Sequence, residues 1–199
     1  MKAAALLLLL LVPVGRAEPL AASPVRVYAG GSVTGFLPTG DEIKEVYRLG
    51  PGVGVEFGLS VHEFLRFAIG AAPSYSSGDP QAGPLAANAS GKLWTVPFSA
   101  GVQLAITRWP RLRPYVGAGL TALYVHENLS FSGPLGTRDQ ARSYTPLGVH
   151  GQVGIEQNRP RRLFAELWYF AAEAGGVEGD GFAREAGGIQ LRAGYRGDL

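Results

Sequence analysis

Eight segments of the chain alternate apolar and polar residues with a period of two, and this pattern limits the possible folds more than any other feature. Successive side chains of a β-strand point to opposite faces, so such a segment predicts a strand with one apolar face. In one segment, Val53, Val55 and Phe57 share one face while Gly54 and Glu56 share the other. The sequence therefore predicts an all-β protein with strands over residues 25–35, 52–60, 64–75, 93–107, 112–125, 145–157, 162–172 and 188–196.

The links between these segments alternate strictly in length. The links after the second, fourth and sixth segments are short, at residues 61–63, 108–111 and 158–161, and the other four are long, at residues 36–51, 76–92, 126–144 and 173–187. A soluble lipocalin-like barrel also has one apolar and one polar face, but it has no reason to alternate its links. We therefore expect an eight-stranded antiparallel up-and-down transmembrane β-barrel with short periplasmic turns and four longer extracellular loops.

The two faces of the segments differ in chemistry as a membrane barrel requires. The apolar faces carry no charged residue, and a charge there would cost about 2–4 kcal/mol at the bilayer midplane. The other faces are rich in Gly, Ala, Ser and Thr, which suit the crowded interior of a narrow barrel. Aromatic girdles are expected at the outer ends of the strands, from Tyr75, Trp94, Tyr124 and Tyr169, and at the periplasmic ends, from Phe64, Trp109, Phe164 and Tyr195.

The first residues predict export. Lys2 precedes an apolar run over residues 3–12, and Gly15 and Ala17 are small residues at the two positions that a signal peptidase reads. The run is shorter than the roughly 20 residues that a membrane helix needs. We predict a signal peptide over residues 1–17, an N-terminal leader of the mature chain over residues 18–24 and a barrel domain over residues 25–199.

Composition argues against several classes of function. The chain has no cysteine, which rules out disulfides and thiolate chemistry. Loss of Lys2 and Arg16 with the signal peptide lowers Lys+Arg from 18 to 16, equal to the 16 Asp+Glu. A neutral mature chain without an aromatic and basic cluster is not expected to bind nucleic acid. The three histidines, His62, His126 and His150, have no metal-binding spacing, so we predict no metal site and no cofactor.

Several charged and polar residues occupy the alternate strand positions that are predicted to point into the barrel. The interior of an eight-stranded barrel is just wide enough for side chains. Charges inside it must pair, because an unpaired buried charge costs several kcal/mol. We therefore expect a network that plugs the lumen, formed by Arg26, Glu56, Arg66, Gln103, Arg113, His150, Glu156, Glu166 and Arg192.

Two stretches carry a family resemblance. Residues 96–102 (VPFSAGV) followed by residues 113–119 (RPYVGAG) resemble the central hairpin of the outer-membrane protein β-barrel domain, a family that includes the opacity-type surface proteins and the barrel of the outer-membrane protein A family. Residues 191–196 (LRAGYR) are similar to its last strand. The resemblance implies export through the general secretory pathway, contact with outer-membrane lipid and lipopolysaccharide, and insertion by the barrel assembly machinery. That machinery reads a terminal aromatic residue in most members, and here the last aromatic residue is Tyr195.

Three classes of function stay open. The first is a membrane-embedded structural or surface-interaction scaffold, which we expect to be a monomer that offers its long loops to an extracellular ligand. The second is a narrow channel or transporter for small or apolar solutes, which would leave the barrel sideways. The third and weakest is a lipid A-modifying enzyme that pairs His126 with Ser130 or Ser143. No motif fixes that geometry, so we predict no catalytic residues and no enzymatic activity.

Overall fold

The computed structural model describes residues 25–39, 44, 46–79, 88–133, 136–157, 161–173 and 185–199. The predicted signal peptide and leader, residues 1–24, lie outside the described residues. The described part of the chain is almost entirely extended and forms β1 (Arg26–Pro38), β2 (Gly50–Ser60), β3 (Leu65–Ala71), β4 (Ser74–Gly78), β5 (Asn88–Ala105), β6 (Leu112–Gly133), β7 (Gly136–Tyr144), β8 (Leu147–Gln157), β9 (Arg161–Glu173) and β10 (Glu185–Asp198). No helix within those ranges is long and apolar enough to cross a bilayer.

The strands pair in a closed ring. Each strand is antiparallel to its neighbours in the order β1, β2, β3 with β4, β5, β6, β8, β9 and β10, and β10 pairs with β1. The ten strands fill eight positions, because β3 and β4 share the position between β2 and β5, and β7 and β8 share the position next to β6. The predicted eight-stranded up-and-down barrel is therefore confirmed.

Two prolines interrupt the ring locally. Pro73 separates β3 from β4 and Pro146 separates β7 from β8, since proline has no backbone N–H to donate to a ladder. Their carbonyl groups still pair: Pro73 O accepts from Val53 N at 3.1 Å, and Pro146 O accepts from Leu123 N at 2.9 Å. The chain thus continues in the same direction across both breaks. This is why the described residues form ten strands in a barrel of eight positions.

The prediction of a loop over residues 126–144 is wrong. β6 continues to Gly133 and pairs with β7 from Val125↔Tyr144 to Gly133↔Gly136, so this segment is a β-hairpin that extends beyond the barrel. Gly136 has a φ of 115°, a left-handed conformation that favours glycine at the turn. The cause of the error is composition: polar residues and glycines make up most of residues 126–144 and hide the alternation.

The remaining links keep the predicted difference in length. At one end of the barrel, here called the short-link end, β2 joins β3 through residues 61–64 and β5 joins β6 through residues 106–111. At the other end, the long-link end, the connections are longer, and they include the β6–β7 hairpin. The first residues of β1 and the last residues of β10 lie at the short-link end.

The outward faces are apolar and exposed, whereas the inward faces are buried. Val33, Leu120 and Leu147 are 66%, 70% and 74% exposed, as large apolar side chains on a lipid-facing surface would be. Phe164 was expected in the periplasmic aromatic girdle, but it is only 5% exposed and points into the barrel. Its parity on β9 puts it on the same face as Glu166.

Inward glycines make room for inward tyrosines. Tyr28 lies directly opposite Gly58 and Tyr115 directly opposite Gly154 in the antiparallel ladders. A Cβ added to Gly58 would lie 2.3 Å from Cζ of Tyr28, and one added to Gly154 would lie 2.4 Å from Cζ of Tyr115. Each ring therefore occupies space that any larger residue at the glycine would take.

Candidate functional site

Fully buried charged side chains from five strands meet inside the barrel towards the short-link end. β2 supplies Glu56, β3 supplies Arg66 and β8 supplies Glu156, while β9 and β10 supply Glu166 and Arg196. Each of these residues is at most 4% exposed. Alternation along each strand turns them inward, and the stagger of a barrel brings different strand positions to one level.

Glu156 is the carboxylate with the most cationic neighbours. Arg66 Nη1 donates to its Oε2 at 2.8 Å, and Arg66 Nη2 donates to its Oε1. Arg196 Nη1 donates to Oε2 at 3.4 Å, while Arg113 Nη1 and Arg162 Nη1 lie 3.7 and 3.9 Å from Oε1. Four guanidinium groups thus share one carboxylate, and the paired donors of Arg66 make the strongest of these contacts.

Arg196 joins the other two carboxylates across the lumen. Its Nε donates to Glu56 Oε1 at 2.8 Å and its Nη2 donates to Glu56 Oε2 at 3.1 Å and also to Glu166 Oε1. Nη1 donates to the hydroxyl of Tyr115 at 2.9 Å. The guanidinium carbon lies 4.0 Å from the ring centroid of Phe164, a cation–π contact that suits a desolvated arginine.

Glu166 is held by neutral donors as well. The hydroxyl of Tyr115 donates to its Oε1 at 2.5 Å and the indole N–H of Trp168 donates to its Oε2 at 2.6 Å. Arg192 Nη1 lies 3.7 Å from Oε2, and the Arg192 guanidinium lies 4.8 Å from the centre of the Trp168 ring. Both oxygens of this buried carboxylate therefore have partners, as a charge in a low-dielectric interior requires.

The structure brings together six of the nine predicted residues, namely Glu56, Arg66, Arg113, Glu156, Glu166 and Arg192. The other three lie elsewhere. Arg26 is not buried in the plug: its side chain is 65% exposed at the short-link mouth, where Nη1 lies 4.0 Å from Asp198 Oδ2. It is the first residue of β1 and pairs with Ser60 of β2, whereas the ladder between β1 and β10 begins only at Tyr28.

Gln103 and His150 are buried but make no contact with the carboxylates. The Gln103 side chain is fully buried, and neither of its amide atoms has a hydrogen-bond partner among the described residues. His150 Nδ1 is 2.8 Å from Thr121 Oγ1, and the imidazole stacks on Trp168 with the ring centroids 4.5 Å apart. Gln103 lies directly opposite Arg66 in the β3–β5 ladder, so it is next to the charges rather than above them.

Sequence reasoning missed three members of the network: Tyr115, Arg162 and Arg196. All three have inward parity on their strands. Arg162 and Arg196 stand near strand ends, where side chains usually reach water, and the stagger that encloses them is not visible in the sequence. Parity places all three on the inward face, but it does not show which inward residues meet.

The interior at the long-link end is apolar and aromatic. Phe36, Trp168 and Phe170 form one buried cluster, and Tyr47 packs with Leu93, Leu123 and Val125 in another. The hydroxyl of Tyr47 donates to Glu127 Oε1 at 2.7 Å. Burial of Tyr47, together with this hydrogen bond, raises the pKa of its hydroxyl far above the ordinary value.

His126 and Ser143 form a pair on the outward face of the β6–β7 hairpin. Nδ1 of His126 is 2.7 Å from Ser143 Oγ, and Nε2 is 3.2 Å from the amide nitrogen of Asn128. Both ring nitrogens of His126 thus have a polar partner on the hairpin. Ser130 lies opposite Asp139. Within the described ranges, no group of three or more His, Asp or Glu residues could hold a metal ion.

The chain matches the family model described as outer membrane protein beta-barrel domain over residues 4–196. No individually curated protein matches the chain. Among solved structures, neisserial surface protein A has a TM-score of 0.58 at 17% identity, over 89% of this chain and 100% of that one.

Two further structures are similar in fold. OprG from Pseudomonas aeruginosa has a TM-score of 0.54 at 14% identity, over 89% of this chain and 97% of that one. Ail, the attachment invasion locus protein of Yersinia pestis, was solved with the heparin analogue sucrose octasulfate and has a TM-score of 0.52 at 15% identity, over 87% and 99%. The short-link end is therefore periplasmic and the long-link end extracellular, and the chain belongs to the outer membrane protein β-barrel domain family of the Gram-negative outer membrane.

Proposed function

We propose that the protein is a membrane-embedded scaffold whose lumen is plugged and whose interactions take place at its extracellular surface. The observation that carries the proposal is the network of Arg66, Glu156, Arg196, Glu56 and Glu166, whose side chains connect strands on different sides of the lumen. Eight strands enclose a space that side chains can fill, and these side chains are paired with one another rather than with solvent.

The extracellular hairpin supports the scaffold half of the proposal. Along β7 the side chains from Gly136 to Ala141 are exposed, and Arg138, Asp139 and Arg142 give this segment charges of both signs. A rigid hairpin on a barrel holds such side chains in a fixed arrangement for a partner. Ail was solved with a heparin analogue, and for the present protein we propose sulfated polysaccharides as the first class of ligand to test.

A narrow channel is the second candidate, and one observation favours it. Gln103, which lies directly opposite Arg66, and Gln190, which lies opposite Trp168, are fully buried, and their amide atoms have no partner among the described residues. Buried amides without protein partners usually bind water, so these positions would form part of a path for small solutes if the ion network opened. The ion network is nevertheless closed by direct contacts, which is why we prefer the plug.

Enzymatic activity is not part of the proposal. The exposed His126–Ser143 pair is not accompanied by a sequence motif that fixes a catalytic geometry. We also propose that export removes residues 1–17, so that the mature chain begins at Glu18.

Reconstitution in planar bilayers separates the plugged scaffold from the channel. The purified barrel, shown to be folded by its shift on unheated gels, is expected to give no large, steady conductance. Replacement of Arg192 by glutamine weakens the upper contact to Glu166 and is expected to produce brief openings without a stable pore. Large, steady currents through the unsubstituted protein would contradict the plug and favour the channel.

A further inference from the structure

The outward face of the barrel wall changes its chemistry at one level on the extracellular side. β5 pairs with β6 along its whole length, so a single uninterrupted ladder carries both chemistries. Up to the level of Trp94 and Tyr124, the outward side chains of these two strands are apolar or aromatic. Beyond that level the outward side chains are polar, and they include Ser90, Lys92, His126, Asn128, Ser130 and Ser132.

Aromatic rings show where this change falls relative to the membrane. Trp94 and Tyr124 are 47% and 38% exposed, and the ring centroids of Tyr75 and Trp94 are 5.1 Å apart. Such rings lie at the boundary between hydrocarbon and headgroups. A residue adds about 3.4 Å along a strand and the strands are tilted by about 35–45°, so Lys92 lies about 5 Å above Trp94 and Ser90 about 10 Å above it. The headgroup layer is about 5–8 Å thick on each side of a bilayer, which places Lys92 within that layer and Ser90 at its outer edge.

A polar depression lies in this part of the outward face. It has a volume of about 700 Å³ including the part open to solvent, and its lining includes Ser90, Lys92, Asn128, Ser130, Asp139 and Ala141. Lys92 pairs with Asn128 in the β5–β6 ladder, and Ser90 pairs with Ser130. β7 adds Asp139 to the second of these rows, opposite Ser130. The two rows therefore bring an ammonium group, a carboxylate, an amide and hydroxyls from three strands to one surface.

We propose that this depression binds the phosphorylated saccharide headgroup of a glycolipid in the outer leaflet, with the acyl chains along the apolar residues below it. The lipid-facing wall continues into the depression without a break, so a lipid that lies against the wall has its headgroup at this level. The ammonium group of Lys92 pairs with phosphate as a point charge. The carboxylate, amide and hydroxyl groups supply the acceptors and donors that sugar hydroxyls need. This ligand is in the membrane, and it is therefore different from the soluble partner of the proposed scaffold function.

The test uses the absence of cysteine from the chain, because a single introduced thiol can then carry a fluorescent label. Thr137→Cys places the label on the outward face of the hairpin, opposite Ser132 and two residues from Asp139. The labelled, folded barrel in detergent micelles is titrated with lipid A, a phosphorylated and acylated disaccharide, and separately with phosphatidylglycerol. Lipid A is expected to give a saturable change in fluorescence, with a half-saturating concentration about tenfold below that of phosphatidylglycerol, the gain expected from one or two further hydrogen bonds.

Lys92→Gln is the variant that tests the contact to phosphate. It is expected to raise the half-saturating concentration of lipid A about tenfold, since a hydrogen bond between charged groups is worth about this factor. Lys92 is exposed, so the variant should fold normally, and the shift on unheated gels verifies this. Arg138→Gln is the matched control, because it removes an equal charge from an exposed position on the opposite face of the hairpin, outside the depression. The affinity of this control for lipid A is expected to stay within about twofold of the parent value.

The absence of a saturable response to lipid A, equal half-saturation by the two lipids, or an equal effect of the two substitutions would overturn the site. A Lys92→Gln variant that lost affinity for a soluble heparin oligosaccharide but kept its affinity for lipid A would also overturn it, because the occupant would then be soluble. The bilayer recordings that test the plug do not depend on this depression, so the lipid site and the plugged scaffold can fail separately.

Discussion

The two halves of the lumen solve the same packing problem with different chemistry. The periplasmic half is filled by guanidinium and carboxylate groups, with Arg66, Glu156 and Arg196 at most 1% exposed. The extracellular half is filled by Phe36, Phe170 and their neighbours, and by neutral hydroxyls. Both halves are built on inward positions that alternate with the same lipid-facing apolar residues.

The two halves are expected to differ in how much stability is lost when one side chain is replaced. An apolar cluster loses contacts gradually when one side chain shrinks. A buried ion network instead loses the compensation for every remaining charge when one member is removed. The periplasmic half is therefore expected to be the more sensitive to substitutions that conserve volume.

The largest effect is expected for Arg196→Met. Methionine keeps much of the side-chain length but leaves Glu56 and Glu166 without their shared cation. Removal of one partner of a buried ion pair costs about 3–5 kcal/mol, so the urea midpoint of unfolding in lipid vesicles should fall steeply. The measurement is the fraction of folded barrel, read from unheated gels across a urea series.

Phe170→Leu in the extracellular half is the counterpart of this variant. It retains an apolar side chain next to Phe36 and Trp168, and it is expected to lower the free energy of unfolding by only about 1 kcal/mol. If the free energy of unfolding fell equally in Phe170→Leu and in Arg196→Met, the proposed difference between the two halves of the lumen would be wrong.

The sequence predicted the architecture because a barrel repeats one rule along its length. Alternation and link length are local properties, and they placed Glu56, Arg66 and Glu166 on the inward face correctly. Which inward residues meet depends on the stagger between strands, a long-range quantity that alternation does not contain. Arg196 and Arg26 show the consequence, since one was missed at the centre of the network and the other was expected inside it.

The β6–β7 hairpin and the Tyr47 cluster were not predictable for a related reason. Beyond Val125, β6 carries only Leu129 and Phe131 as large apolar residues, too few for a period of two to stand out. Tyr47 lies between two predicted strands and becomes buried only through its packing against Leu93, Leu123 and Val125, which a local pattern does not show.

An intermediate effect is expected for Gly58→Ala, which tests how closely the tyrosines of the periplasmic half are packed. The added methyl group would lie 2.3 Å from Tyr28 Cζ and 2.5 Å from the carbonyl oxygen of Phe67, so backbone must move. Overpacking of this kind costs about 1–3 kcal/mol. Gly151→Ala is the control, because nothing lies within 4 Å of the added atom. Equal urea midpoints for the two variants would show that Tyr28 is not confined by Gly58.

The smallest effect is expected for Tyr47→Phe, and it depends on pH. At neutral pH the variant loses the hydrogen bond to Glu127, worth about 1 kcal/mol. Because burial raises the pKa of Tyr47 in the folded protein, the unfolded chain releases this proton first, at pH values above about 10. The free energy of unfolding of the parent protein therefore falls above pH 10. The variant does not show this loss, because phenylalanine has no proton to release. The other tyrosines are the same in both proteins, so their ionisation does not contribute to the difference. The stability difference between parent and variant should shrink as the pH rises through 10, and a constant difference would mean that the Tyr47 hydroxyl ionises equally in both states.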